Sequence, residues 1–261
     1  MHLAASIEAR APLSAQLSWD NSGWQVAPDG LDEPCRGVML CLDVTPAVVD
    51  EAVARDCNLI ISHHPLIFRG LKSIVPQAAH AEEAIVKAIR AGIAVYSSHT
   101  ALDVSPVGPS AWLAGRLGLR LTEPLDPETY IGIIGELPEP LSHKEFLQLV
   151  SQVYGGGIRH TPGPGREIKK VALCSGSGGE FITWCIAQGV DAYITSDVRY
   201  HDFLDHGTDL MIVDTGHFES EICTKSIFKE IICEKFPNFA VHMSQSEHAP
   251  VKYSVDTQEK V

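Results

Sequence analysis

Imidazoles and carboxylates recur at matching places along this chain. Two adjacent histidines, His63 and His64, stand in "NLIISHHPLIF" directly after an apolar run and directly before Pro65. "SHTALD" supplies His99 and Asp103, and "GHFESE" supplies His217 and Glu221. "SDVRYHD" adds Asp197, His201 and Asp202. His217 and Glu221 are four residues apart, so on a helix they share one face in a chelating arrangement. Glu219 competes for that role, but on a helix it points about 200° away from His217, which favours Glu221. Neutral imidazole together with carboxylate suits first-row divalent ions such as zinc, manganese or iron.

Pro65 biases His64 toward an extended backbone. Consecutive extended residues send their side chains to opposite sides, so His63 and His64 are expected to face two different ions. A single histidine after a strand more often makes a hydrogen bond or a cap. Five donors in equivalent positions (His63, His64, Asp103, His217 and Glu221) favour a metal site instead. His99 is expected to support a ligand or move a proton rather than to act as a sixth ligand. Five protein ligands shared by two ions leave positions open for water or substrate, unlike a closed structural zinc site.

The elements that must position these groups alternate in type. Strands are expected over 36–44, 58–62, 93–98, 130–137, 169–175, 190–195, 209–215 and 239–244. Helices are expected over 45–56, 78–92, 109–118, 142–154, 179–189 and, as one long helix, 217–236. Thr45 with Pro46 starts the first helix, and a capping box of Ser142 and Glu145 starts the fourth. Continuous apolar strands alternating with helices imply an α/β fold with mostly parallel, doubly covered sheets. In such sheets, ligands bind beyond the carboxyl ends of the strands, which is where the five donors fall. The proline- and acid-rich "TEPLDPE" (122–128) marks a seam, and "YGGGIRHTPGPGRE" (154–167) reads as an exposed loop.

Three weaker signals accompany the donors. "CSGSGGEF" (174–181) is a glycine-rich loop that serves equally as a tight turn or a phosphate cradle. His201, Asp202 and His206 form either a cleft wall or a solvated helix face. "SWDNSGWQV" (18–26) groups Asp20, Asn21, Gly23 and Trp24 in a turn that could line a pocket.

Composition narrows the partners. The 261 residues carry a formal charge of -13. That balance argues against nucleic acid, whose binding requires Lys and Arg to neutralise phosphates. Seven cysteines (35, 41, 57, 174, 185, 223 and 233) show no C-x-x-C pair, as expected of reduced thiols in a cytoplasmic protein. No stretch approaches the roughly 18 apolar residues of a membrane span.

In order, "WDNSGWQV", "SHHPLIF", "SSHTALD", "IGELPEPL", "CSGSGGEF", "TSDVRYHD" and "GHFESE" resemble the NIF-three-like family of dinuclear-metal proteins, whose members are often labelled GTP cyclohydrolase type-two homologues. The resemblance spans about residues 18 to 254. It implies two intertwined three-layer α/β/α domains, a ring-shaped homohexamer and two divalent ions held by His63, His64, Asp103, His217 and Glu221. For His217 and Glu221 to reach the pocket made by 63–103, residues 208–261 are expected to pack with 1–125 as one domain, leaving 126–207 as the second. The implied reaction is hydrolysis of a guanine nucleotide by hydroxide attack on the imidazole ring carbon, with loss of formate. A peptidase, a phosphoesterase and a non-enzymatic metal scaffold or trafficking protein are the alternatives for the same donors, and whether the chain is an enzyme stays open here.

Overall fold

The computed structural model describes residues 2–28, 34–76 and 79–252. Position 78, the first of the helix expected over 78–92, lies outside them, as do positions 253 and 254 of the resembling span. Strands β1 (Gly23–Val26), β2 (Val38–Cys41), β3 (Leu59–Ser62) and β4 (Ala94–Ser97) come first in the chain. They are followed by β5 (Arg120–Pro124), β6 (Ile133–Leu141), β7 (Arg159–His160), β8 (Ile168–Ser177), β9 (Ala192–Ser196), β10 (Met211–Asp214) and β11 (Val241–Met243). The first sheet has the order β1-β4-β3-β2-β11 and the second β5-β6-β8-β9-β10-β7.

The first sheet is parallel except at β1, which pairs antiparallel with β4. The second is mixed, whereas the sequence suggested mostly parallel pairing. β8, β9 and β10 run parallel, but β5, β6 and β7 are antiparallel to their neighbours. β5 and β6 are joined by a short turn in which the Leu125 amide donates to the Gly132 carbonyl, and a short connection forces antiparallel strands. β5 was hidden in the "TEPLDPE" seam because it is a largely exposed edge strand, with no apolar run to announce it. β7 likewise sits in the segment read as an exposed loop.

Each central strand is buried on both faces. In β2, Val38 and Leu40 join one apolar cluster while Met39 and Cys41 join another. The first cluster also takes Leu173, Ile194 and Val213 from the second sheet, so it links the two sheets through helices Pro109–Leu117, His143–Tyr154 and Thr224–Lys235. Helices Pro46–Ala54 and His80–Arg90 cover the other face of the first sheet. Helix Ile182–Ala187 covers that of the second. The fold is therefore α/β, with two sheets each covered on both sides.

Residues from 208 onward divide between the two sheets, since β10 hydrogen-bonds into the second and β11 returns to the first. The helix expected over 217–236 is two helices, His217–Glu221 and Thr224–Lys235. At the break, the Thr224 hydroxyl donates to the Glu221 carbonyl at 2.8 Å, satisfying an acceptor that a continuous helix would have used.

The segment after β11 is tied down by two carboxylates. Glu51 accepts from the Ser244 and Ser246 hydroxyls and from the Gln245 and Ser246 amides. Buried Glu247 accepts from the Leu42 and Asp43 amides and pairs with Lys225 at 2.9 Å. Burial alone would raise the Glu51 carboxyl, but these donors hold it at about 2. Its folded value lies below its unfolded one, so this stabilisation is complete above the ordinary carboxylate range and is lost as pH falls through about 2. Glu51→Gln should cost about 1–2 kcal/mol at neutral pH, with the gap from wild type closing between pH 4.5 and 2 in urea melts.

Candidate metal centre

The carboxyl ends of the two sheets face each other across one cluster of nitrogen and oxygen donors. From the first sheet, β3 delivers His63 and His64, and β4 delivers His99 and, through the short helix Thr100–Asp103, Asp103. From the second, β10 delivers His217 and Glu221 by way of Gly216, whose φ of 85° turns the chain from strand into helix.

Glu221 is the meeting point. Its carboxylate is nearly inaccessible, 4% exposed, and its two oxygens serve different partners. Oε2 lies 2.8 Å from His64 Nε2 and 2.9 Å from His217 Nε2, and these two nitrogens are 3.4 Å apart. Oε1 lies 3.8 Å from His63 Nε2, which is itself 3.5 Å from Asp103 Oδ1. The rings of His63 and His64 are tilted by 41° with centroids 5.2 Å apart. They converge on opposite oxygens of one carboxylate instead of pointing to opposite sides of the backbone. The strand β3 has ended before them, so the strict alternation of a strand no longer applies.

Every imidazole is held from behind. His63 Nδ1 bonds the Ser98 carbonyl at 2.9 Å, His64 Nδ1 bonds Asp43 at 2.8 Å, and His217 Nδ1 bonds Asp197 at 2.7 Å. His99 Nδ1 bonds Asp20 at 2.8 Å. A carbonyl or carboxylate only accepts, so each Nδ1 carries a proton, and Nε2, which for His64 and His217 sits against Glu221, is the position where a cation would replace a proton. Donor atoms of His63, His64 and His99 lie within 4.8 Å of one another, and so do those of His64, His217 and Glu221. His99 is thus closer to the donor set than its expected supporting role required.

The carboxylates of the cluster favour positive charge on the imidazoles beside them. Burial opposes charge on His64, but Asp43 and Glu221 raise its pKa to about 10. Burial likewise opposes charge on His217, and Glu221 and Asp197 bring it to about 9. Burial pushes the Asp103 carboxyl up despite the nearby imidazoles. Glu221 would be raised by burial too, but His217, His63 and His64 hold it well below the carboxylate range. His63 Nε2 and Asp103 Oδ1 are buried and have no hydrogen-bond partner among the described residues. Orphaned buried acceptors are costly, and a divalent cation between them would satisfy both. The residues fit a metal.

The structure brings the five residues named from the sequence together; of the carboxylates behind them, Asp197 and Asp20 stand in segments the sequence singles out, and Asp43 does not. Asp43 lies two residues past the end of β2, inside the segment 36–44 expected to be strand, where no strand end marks it. Asp20 belongs to the "SWDNSGWQV" turn, but only the fold brings it to His99. Burial raises the Asp20 carboxyl, and bonds from His99, Thr100 and Ser22 more than reverse the effect. The "CSGSGGEF" loop is a seat for Glu221. Gly176 adopts φ +67°, a Cβ there would collide with Glu221 Oε1, and its amide donates to Ser220 Oγ. The Gly176 and Gly178 carbonyls accept from Thr195 and Tyr193, so this backbone is committed internally. Helix Tyr200–His206, with His201, Asp202 and His206, buries no residue.

Two α/β sheets closing over a mixed imidazole–carboxylate cluster define a class of proteins with a candidate metal centre between their strand ends. This chain belongs to the DUF34/NIF3 (NGG1p interacting factor 3) family, whose model matches residues 1–250. A Streptococcus pneumoniae protein named GTP cyclohydrolase 1 type 2 homolog is 33% identical over 84% of this chain and 85% of its own length. A Nostoc protein of the same name is 36% identical over 76% and 78%. Among solved structures, a Staphylococcus aureus hypothetical protein is 26% identical, covering 96% of this chain and 97% of its own, with a TM-score of 0.85. A Bacillus cereus protein related to NIF3 shares the fold at a TM-score of 0.87, with 24% identity over 97% and 98%. Among the described residues no helix is long and apolar enough to cross a membrane.

Gly176→Ala should therefore displace Glu221, lowering stability by about 1–3 kcal/mol and metal content together, as read by thermal melts and elemental analysis. The equally glycine-to-alanine change Gly155→Ala, at a helix C-terminus with open space around it, should lower stability alone.

Proposed function

We propose that the cluster holds two divalent cations and that the protein is a metal-dependent hydrolase. The observation that carries this reading is the split carboxylate of Glu221. One oxygen is shared with His64 and His217 and the other approaches His63 and Asp103, which makes two adjacent donor groups with a common member. Zinc, iron and manganese all suit these donors. When bound, such cations polarise oxygen and lower the pKa of water toward about 7.

The protein's own groups do the rest. Asp43 and Asp197 keep His64 and His217 in the tautomer that faces the centre, and Asp20 does the same for His99. The His99 nitrogen not bonded to Asp20 relays a proton between water and the leaving group. The names of the curated relatives point to a guanine nucleotide as the small-molecule substrate. One water would open its imidazole ring to a formamide and a second would release formate. His64 also borders a cavity of ≈ 700 Å³ lined by Thr45, Leu66, Ser246 and His248, room enough for a nucleotide. A homohexameric ring working in the cytoplasm completes the reading, and the seven free cysteines suit a reducing compartment.

Elemental analysis of the native protein, followed by a nucleotide and peptide hydrolysis screen with that metal restored, tests the proposal. His64→Ala and Glu221→Ala should each lower turnover by more than about a hundredfold while the fold survives. Turnover that persists after chelation would sink it, and absence of turnover with every substrate would leave a metal-holding scaffold.

Metal uptake should also be proton-linked. The pKa values of about 10 for His64 and about 9 for His217 mean that both imidazoles are protonated at neutral pH without metal. Binding must then expel about one to two protons, and affinity should weaken as pH falls. Zinc titration calorimetry at pH 7 in buffers of different ionisation enthalpy measures that release directly.

A further inference from the structure

Trp19 and Phe68 border the donor cluster at His99. Both are large apolar side chains left in water, 58% and 46% exposed. Their rings meet edge to face at 6.1 Å, and each meets the His99 ring edge to face, at 6.0 and 6.1 Å. His99 in turn lies 5.2 Å from the His63 ring and 5.6 Å from the His64 ring. The two aromatics therefore stand one imidazole away from the candidate metal donors.

Their loops are braced. The Asn21 side-chain amide donates to the Ile67 carbonyl at 2.6 Å, and the Ile67 amide donates to Gln25 Oε1 at 3.1 Å. These bonds tie the turn carrying Trp19 to the turn carrying Phe68. Behind them, the Asp20 carboxylate is fully buried and accepts from Asn21, Ser22, Thr100 and His99, which fixes the third ring. Exposed aromatic rings on a rigid base form a stacking surface, because a π-face binds another flat ring largely irrespective of its substituents.

We propose that Trp19 and Phe68 form an aromatic shelf that binds a planar heteroaromatic ring of purine size and presents its edge to the donors at His63, His64 and His99. The inference rests on the hydrolase reading for the fate of that ring, but its binding does not require turnover. The shelf selects the flat ring, and the sugar and any phosphates extend away from it. This distinguishes a heteroaromatic ligand from a peptide backbone, which offers no face to stack.

Equilibrium binding tests the shelf separately from catalysis. Guanosine and adenosine are titrated into the metal-loaded protein while tryptophan fluorescence is followed, with ribose 5-phosphate as the ring-free control. Both nucleosides should quench the wild type and leave Trp19→Phe much less quenched. By calorimetry, Trp19→Ala and Phe68→Ala should each weaken nucleoside binding about tenfold, the loss expected for one stacking contact. Ribose 5-phosphate should respond to neither change. Unchanged nucleoside affinity in both alanine variants, or no nucleoside binding by wild type, overturns the proposal. So does a drop in the solution mass of the alanine variants with affinity intact, since the rings would then serve a second copy of the chain. Binding without hydrolysis would support the shelf and count against the hydrolase; hydrolysis that ignores both alanine changes would do the reverse.

Discussion

A buried carboxylate surrounded by three imidazoles is the interaction on which this structure turns. Glu221 has almost no access to water, and an isolated charge in that position would be prohibitively expensive. It is tolerated because His64 and His217 meet one oxygen and His63 approaches the other. Two of the three imidazoles, His63 and His64, lie more than 150 positions away in sequence, so the two sheets must be fixed against each other before the charge is fully satisfied. Removing one partner of such a set leaves the others as uncompensated charges, which makes its members interdependent.

Around that centre stands a second layer of acceptors, each anchored in the same architectural place. Asp43 follows β2, Ser98 follows β4, Asp197 follows β9, and Asp20 precedes β1. Each accepts from an imidazole and so decides which nitrogen faces inward. Asp43 is itself secured from below, because Glu247 takes its amide and that of Leu42 while pairing with Lys225. Orientation of the His64 ring thus passes through an aspartate and a main-chain loop to the last described turn of the chain.

Much of this was legible in the sequence. Continuous apolar runs such as "NLIIS" marked the buried strands, and histidines or carboxylates after four of these runs pointed to one rim. The same-face spacing of His217 and Glu221 needs only one helical turn, so it survived the break at Thr224 that ended the longer helix. Legibility failed where the information is tertiary. β5 is a polar edge strand with no periodic apolar face, and Asp20 meets His99 only after β1 pairs with β4. The glycines of "CSGSGGEF" looked like either a turn or a cradle, because the atom that excludes a side chain at Gly176 belongs to Glu221, 45 positions on. Local pattern gives strands and helix faces; it does not give what lies across from them.

The order of the chain has a consequence for biosynthesis. The paired histidines emerge early from a ribosome, while the glutamate they require belongs to one of the later elements. A nascent or truncated chain can build most of the first sheet and set Asp43 behind His64, yet it lacks the carboxylate that joins His63 and His64 until β10 and its helix arrive. Assembly of the full donor set thus becomes a late event, because it waits on strands from both sheets.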